Sequence, residues 1–175
     1  MGSNGKVMQV RKSKIDKYNR EKAVQYAIEW ALRRNPQYYN FDKLGGDCTN
    51  FASQAIFAGG AVMNYTPIYG WYYINSQKRT ASWTGVNYLY NFLTSNKENG
   101  PFAEETDVND IMPGDIIQLS FDGKPNFNHS LVVIKTGSSL ENILITTHSV
   151  DRIDYPLTNY IWSDIRFLHI CGVRK

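Results

Sequence analysis

The chain predicts an α+β domain, with N-terminal helices packed on a C-terminal antiparallel sheet. Three observations carry that prediction. Apolar residues recur at helical spacing in three segments before residue 95. From Ile111 onward the apolar runs become short and rich in Ile, Val and Leu, as strands are. The length of 175 residues suits one domain with a full core. No repeat and no low-complexity segment interrupts it.

Residues 1–17 read as a loose basic arm, its first three residues resembling a cloning remnant, and residues 18–175 as one domain. Asn19 is a suitable N-cap for a helix from about Arg20 to Arg34, carried by Ala23, Val24, Ala27, Trp30 and Ala31 and ended by Asn35-Pro36. A second helix begins near Cys48, with Phe51, Ala52, Ala55 and Ile56 on one face and Gly59-Gly60 as its stop. Residues 61–85 form a long irregular segment dense in Tyr and Trp. Thr84 could cap a third helix through Val86, Leu89, Tyr90 and Leu93. Residues 97–110 read as a polar connection and Pro113-Gly114-Asp115 as a turn. Strands are expected over residues 116–119, 131–135, 143–147 and 167–173.

Composition narrows the function classes. Hydrophobic content of 42% with 20% charge is that of a globular chain. A net charge of +3, with the basic residues concentrated before residue 35, does not point to nucleic acid. No apolar run approaches membrane-spanning length, and residues 1–17 lack the apolar centre of a signal peptide. The 12 Tyr, 8 Phe and 4 Trp suit either a cleft for a sugar or peptide chain or an aromatic core. Two cysteines, Cys48 and Cys171, do not make a disulfide scaffold, although one bridge between them stays open. A monomer with no cofactor is expected.

The chemistry centres on Gly45-Gly46-Asp47-Cys48-Thr49-Asn50. A thiol in the first turn of a helix meets unpaired N–H groups and the positive dipole end, which favour a thiolate and a lowered pKa. The other reading of Cys48 is a small buried hydrophobe. His129 opens one strand and His148 ends the next, with a turn around Ser138 between them. A hairpin centred there sets the two rings opposite each other on one face, where His129 could be the base and His148 its orienter. A one-residue slip would undo that pairing. Cys48, His129 and His148 could also bind zinc, although no metal-binding spacing supports it. His169 reads as an ordinary satisfied polar residue and Cys171 as inert core.

Tyr18 to Ala27, Gly46-Asp47-Cys48-Thr49-Asn50-Phe51-Ala52-Ser53-Gln54, Trp71-Tyr72-Tyr73, Ser82-Trp83, Pro113-Gly114-Asp115 and His129-Ser130 together resemble the Putative amidase domain family of Gram-positive bacteria. That family looks like a papain-like branch near the NlpC/P60 and CHAP cell-wall hydrolases. The resemblance implies a cysteine amidase or peptidase acting on peptidoglycan peptide or a similar amide, outside the cell or at its wall. It implies Cys48 as nucleophile, His129 as base and His148 as third residue, with Asp151 the fallback. Tyr38 or Tyr39 is a loose match for the tyrosine that NlpC/P60 enzymes carry upstream of the nucleophile. Asp47, Asn50, Trp71, Tyr72 and Trp83 are the candidate substrate-binding residues. A non-catalytic wall-binding module is the competing class.

Overall fold

A computed structural model describes residues 14–175. Four helices, α1 (Arg20–Trp30), α2 (Cys48–Ala58), α3 (Ala81–Thr84) and α4 (Val86–Ser95), lie in the first half. The strands are β1 (Ile15–Asp16), β2 (Gly100–Thr106), β3 (Ile116–Ser120), β4 (His129–Lys135), β5 (Leu144–Thr147), β6 (Arg152–Pro156) and β7 (Asp164–Arg174). All pair antiparallel, in the order β1-β7-β3-β4-β5-β6, with β2 on the other edge of β7. The α+β class is therefore observed. No helix among the described residues is long and apolar enough to cross a membrane.

The helix signals act as expected at Asn19 and Gly59, whereas Thr84 ends α3 and Gly85 precedes α4 without a side-chain cap. The Asn19 side chain accepts from the Lys22 N–H at 3.0 Å, satisfying one free donor at the start of α1. Gly59 ends α2, its N–H returning to the Ala55 carbonyl at 3.1 Å. α1 stops at Trp30, short of Arg34. Arg34 is instead drawn to Asp42 and Asp151 by hydrogen bonds of 2.8–2.9 Å.

Two strands escape the sequence pattern. β2 lies within the expected polar connection, because its pairing partner is the long edge of β7 and its Glu104 and Glu105 stay exposed. β6 is an outer strand whose Arg152 and Asp154 hide it in the same way. The end of the basic arm also forms a strand. Residues 15 and 16 pair with Val173 and Arg174, and Asp16 is bridged by Lys14 and Lys175. Residues 1–13 of the arm lie outside the described residues.

Strand alternation divides the core in two. Ile116, Val132, Leu168 and Ile170 face the helices, packing with Phe51, Ala55, Leu89 and Trp83. Ile117, Leu119, Leu131, Val133 and Ile145 face the other way, under Ile111, Ile143 and Leu157. The β4–β5 register positions the two strand-end histidines. Val132 pairs with Thr146 and Val133 with Ile145. Continued down the strands, it sets His148 across from Ser130, one residue away from the expected pairing with His129. The Thr147 hydroxyl, donating to the Ser130 carbonyl at 2.8 Å, holds that register.

Candidate active site

Residues 45–47 set the start of α2. Gly45 and Gly46 have φ of 95° and 105°, the left-handed region that glycine occupies without strain. A Cβ on Gly46 would come within 3.0 Å of the Ser149 hydroxyl oxygen, which accepts from the Asp47 N–H at 2.7 Å. Asp47 precedes the helix without capping it. One carboxylate oxygen accepts from the Phe41 N–H and the Asn50 amide, both at 2.9 Å, and the other turns to His148. The first-turn N–H groups of α2 thus have no side-chain cap. Phe51, Ala52, Ala55 and Ile56 are fully buried and dock the helix on the sheet. The Thr49 and Ser130 hydroxyls, 2.9 Å apart, fasten its first turn to the start of β4.

That docking places the Cys48 sulfur beside the Ser130 backbone N–H. Burial pushes the thiol pKa up, while the Ser130 N–H and the Thr49 hydroxyl and N–H oppose the rise. The lowered pKa expected from the helix start is corrected accordingly: removal from water outweighs the donors. His129, the residue before Ser130, sits between Phe121 and Tyr160, with ring centroids 6.1 Å and 5.6 Å away. Burial lowers its pKa to about 4, so its ring is neutral near pH 7. The Tyr160 hydroxyl lies 3.4 Å from His129 Nε2. Burial raises the Tyr160 pKa to about 12, with a smaller contribution from the Cys48 charge. Cys48, the start of β4 and Tyr160 therefore share one neighbourhood, whose resting groups are a thiol, a neutral imidazole and a phenol.

His148 does not join them. Its Nδ1 meets Asp47 Oδ2 at 2.7 Å and its Nε2 the Trp30 carbonyl at 2.8 Å. Its ring stacks on Phe51 of α2 with centroids 3.9 Å apart. The pairing with His129 is thus corrected: the observed register turns His148 onto the helix side of the sheet. A zinc site built from Cys48, His129 and His148 meets the same obstacle, since both His148 nitrogens are engaged. The fallback, Asp151, pairs with Arg34 instead.

A family model described as Putative amidase domain matches residues 17–170. The chain belongs to that family. It is 36% identical over 118 residues to the uncharacterized protein YhbB of Bacillus subtilis (strain 168). The aligned stretch covers 67% of this chain and 37% of YhbB. No solved structure matches. At the family level the domain is amidase-like, an amide hydrolase in coarse terms.

Within this amidase domain most of the candidate substrate-binding residues are core. Asp47, Trp71 and Trp83 are fully buried and Asn50 nearly so. The Trp83 indole N–H donates to Asn50 Oδ1 at 2.9 Å, and that of Trp71 to the Ser53 hydroxyl at 3.1 Å. Indoles whose N–H groups find partners inside a dry interior explain much of the aromatic density of residues 61–85. Tyr72 differs: it is half-buried, with its ring centroid 5.3 Å from the exposed Tyr65. Tyr38 packs on Tyr73 and Trp83, and Tyr39 on Phe41.

Cys171 is exposed rather than core, and both cysteines are free. A cleft of about 680 Å³ opens beside Cys171, His169, Met112 and Arg20. Beneath it lies the fully buried Asp115, which accepts from Arg20, from His169 Nδ1 at 2.9 Å and from the Met112 and Ile170 N–H groups. These bonds tie the Pro113-Gly114-Asp115 turn to α1 and β7, and His169 is a satisfied polar residue as expected. Tyr160 is the site residue that the sequence did not reveal. It follows an ordinary Leu157–Asn159 turn and carries no motif.

Proposed function

We propose that the domain hydrolyses an amide bond through a Cys48 thioester, with a peptidoglycan stem peptide or a similar peptide as substrate. Cys48 attacks the carbonyl carbon while His129 takes the thiol proton. The resulting oxyanion lies at the uncapped N-terminus of α2, where the Cys48 N–H is a suitable donor. His129 then returns the proton to the departing amine as the C–N bond breaks. Water, deprotonated by the same ring, releases the acid and restores the thiol.

The observation that carries the proposal is the docking of the α2 start against β4, which holds the Cys48 sulfur against Ser130, the residue that follows His129 in the strand. Burial that keeps both groups neutral favours proton transfer during attack over a preformed ion pair. The chemistry is that of a papain-like cysteine hydrolase, and the proposed stem-peptide substrate sets the activity outside the cell or at its wall.

The test is digestion of purified Gram-positive peptidoglycan with mass analysis of the fragments. The wild-type chain should release peptides with new amino termini. Cys48→Ala should lose activity by several orders of magnitude while melting normally. Unchanged cleavage by the Ala variant would exclude Cys48 as nucleophile.

A further inference from the structure

We propose that Tyr160 is the positioning residue for His129, holding its ring in the tautomer that leaves Nδ1 free to take the thiol proton. The inference rests on the cysteine-hydrolase reading above, but it concerns an interaction that exists without substrate.

The ring environment leads to it. Among the described residues, Tyr160 is the polar side chain placed on a nitrogen of His129. Phe121 supplies only an aromatic flank. His148 and Asp151, the residues expected to orient the ring, are bonded to Asp47 and Trp30 and to Arg34. A neutral imidazole carries one hydrogen, on either nitrogen. With Tyr160 at Nε2, Nδ1 has no hydrogen-bond partner among the described residues, and is assigned to the Cys48 thiol. Nδ1 can act as base only if the hydrogen resides on Nε2. In that tautomer Nε2–H donates to the phenol oxygen of Tyr160. The same bond persists when His129 is protonated during attack, because Nε2 still carries its hydrogen. A phenol keeps no negative charge here, so it orients the imidazolium without stabilising it as a carboxylate would. That fits a resting thiol and neutral imidazole rather than an ion pair.

Tyr160 is fixed well enough for the task. The N–H of Tyr160 returns to the Leu157 carbonyl at 3.0 Å, and Leu157 is fully buried with its N–H on the Ile143 carbonyl at 3.0 Å. The Tyr155 ring packs edge-on against Tyr160 with centroids 5.4 Å apart. Tyr160→Phe keeps this packing and removes only the hydroxyl.

The decisive measurement is nitrogen-15 NMR of the histidine rings, with His129 assigned by its absence in His129→Gln. In the wild type His129 should show a protonated Nε2 and an unprotonated Nδ1. In Tyr160→Phe the two nitrogens should average as the tautomers interconvert. Cleavage of purified peptidoglycan should then fall about tenfold in kcat with KM unchanged, the effect of one neutral hydrogen bond. A wild-type ring protonated on Nδ1 overturns the proposal even if Tyr160→Phe fails to fold. The same tautomer in wild type and Tyr160→Phe also overturns it. Failure of Cys48→Ala to lose activity would refute the hydrolase reading while leaving the tautomer result intact, so the two can be told apart.

Discussion

His148 Nδ1 lies 2.7 Å from the carboxylate of Asp47 while its Nε2 lies 2.8 Å from the carbonyl of Trp30. Through its two ring nitrogens His148 ties the Asp47 carboxylate to the Trp30 carbonyl. The Nε of the Arg34 guanidinium lies 3.4 Å from the same carboxylate oxygen. His148 thereby joins the end of α1, the residue before Cys48 and the end of β5.

Removing His148 should therefore cost stability before it touches chemistry. His148→Ala leaves the buried Asp47 carboxylate and the Trp30 carbonyl without the ring nitrogens that contact them. A buried carboxylate stripped of its closest partner costs about 3–5 kcal/mol, which lowers the melting temperature by roughly 10 °C in a chain of this size. Thermal unfolding followed by circular dichroism checks it. A melting temperature within a degree or two of wild type would show that the Asp47 site repacks without the ring.

His129 should make the fold sensitive to acid between about pH 6.5 and 4, and the activity sensitive below that window. Its folded pKa is lowered to about 4 from an ordinary value of 6.5. Between those values the unfolded chain binds the extra proton, so stability rises with pH across that window and falls as pH drops through it. The two ends correspond to at most about 3 kcal/mol. Chemical denaturation at pH 7 and pH 4 should show a smaller loss for His129→Gln than for wild type. With a neutral base required, peptide release should persist down to about pH 4 and fail below it. An acid limb near pH 6.5 would mean that burial does not control this ring.

Trp83 and Tyr72 should separate core from cleft. Trp83 is fully buried, stacked near Tyr38 and bonded to Asn50, so Trp83→Ala should lose about 3–5 kcal/mol. Tyr72 is half-buried beside Tyr65, so Tyr72→Ala should melt close to wild type, and any effect on peptidoglycan cleavage should appear in KM. Denaturant titration of both variants decides it. Comparable destabilisation would place Tyr72 in the core as well.

Local signals carried much of the fold. Asn19 caps α1, Gly59 stops α2 and the strand runs after Ile111 form a sheet, because each depends on residues within a few positions of one another. β2 and β6 were illegible because their stability comes from pairing with distant strands, while their own exposed charges read as loop. Cys171 looked like core from its apolar neighbours, yet strand alternation turns it outward.

By itself the sequence determined the α+β order, the helix that begins at Cys48, the strand that begins at His129 and the family to which both motifs belong. Only the tertiary structure decided which polar groups meet. One residue of register between β4 and β5 sends His148 to Asp47 instead of His129. Burial sets the thiol and imidazole pKa values against the effect of the helix start. Tyr160 reaches His129 from a turn that carries no motif. Register, desolvation and long-range contact are properties of the packed chain, and no local pattern of residues encodes them.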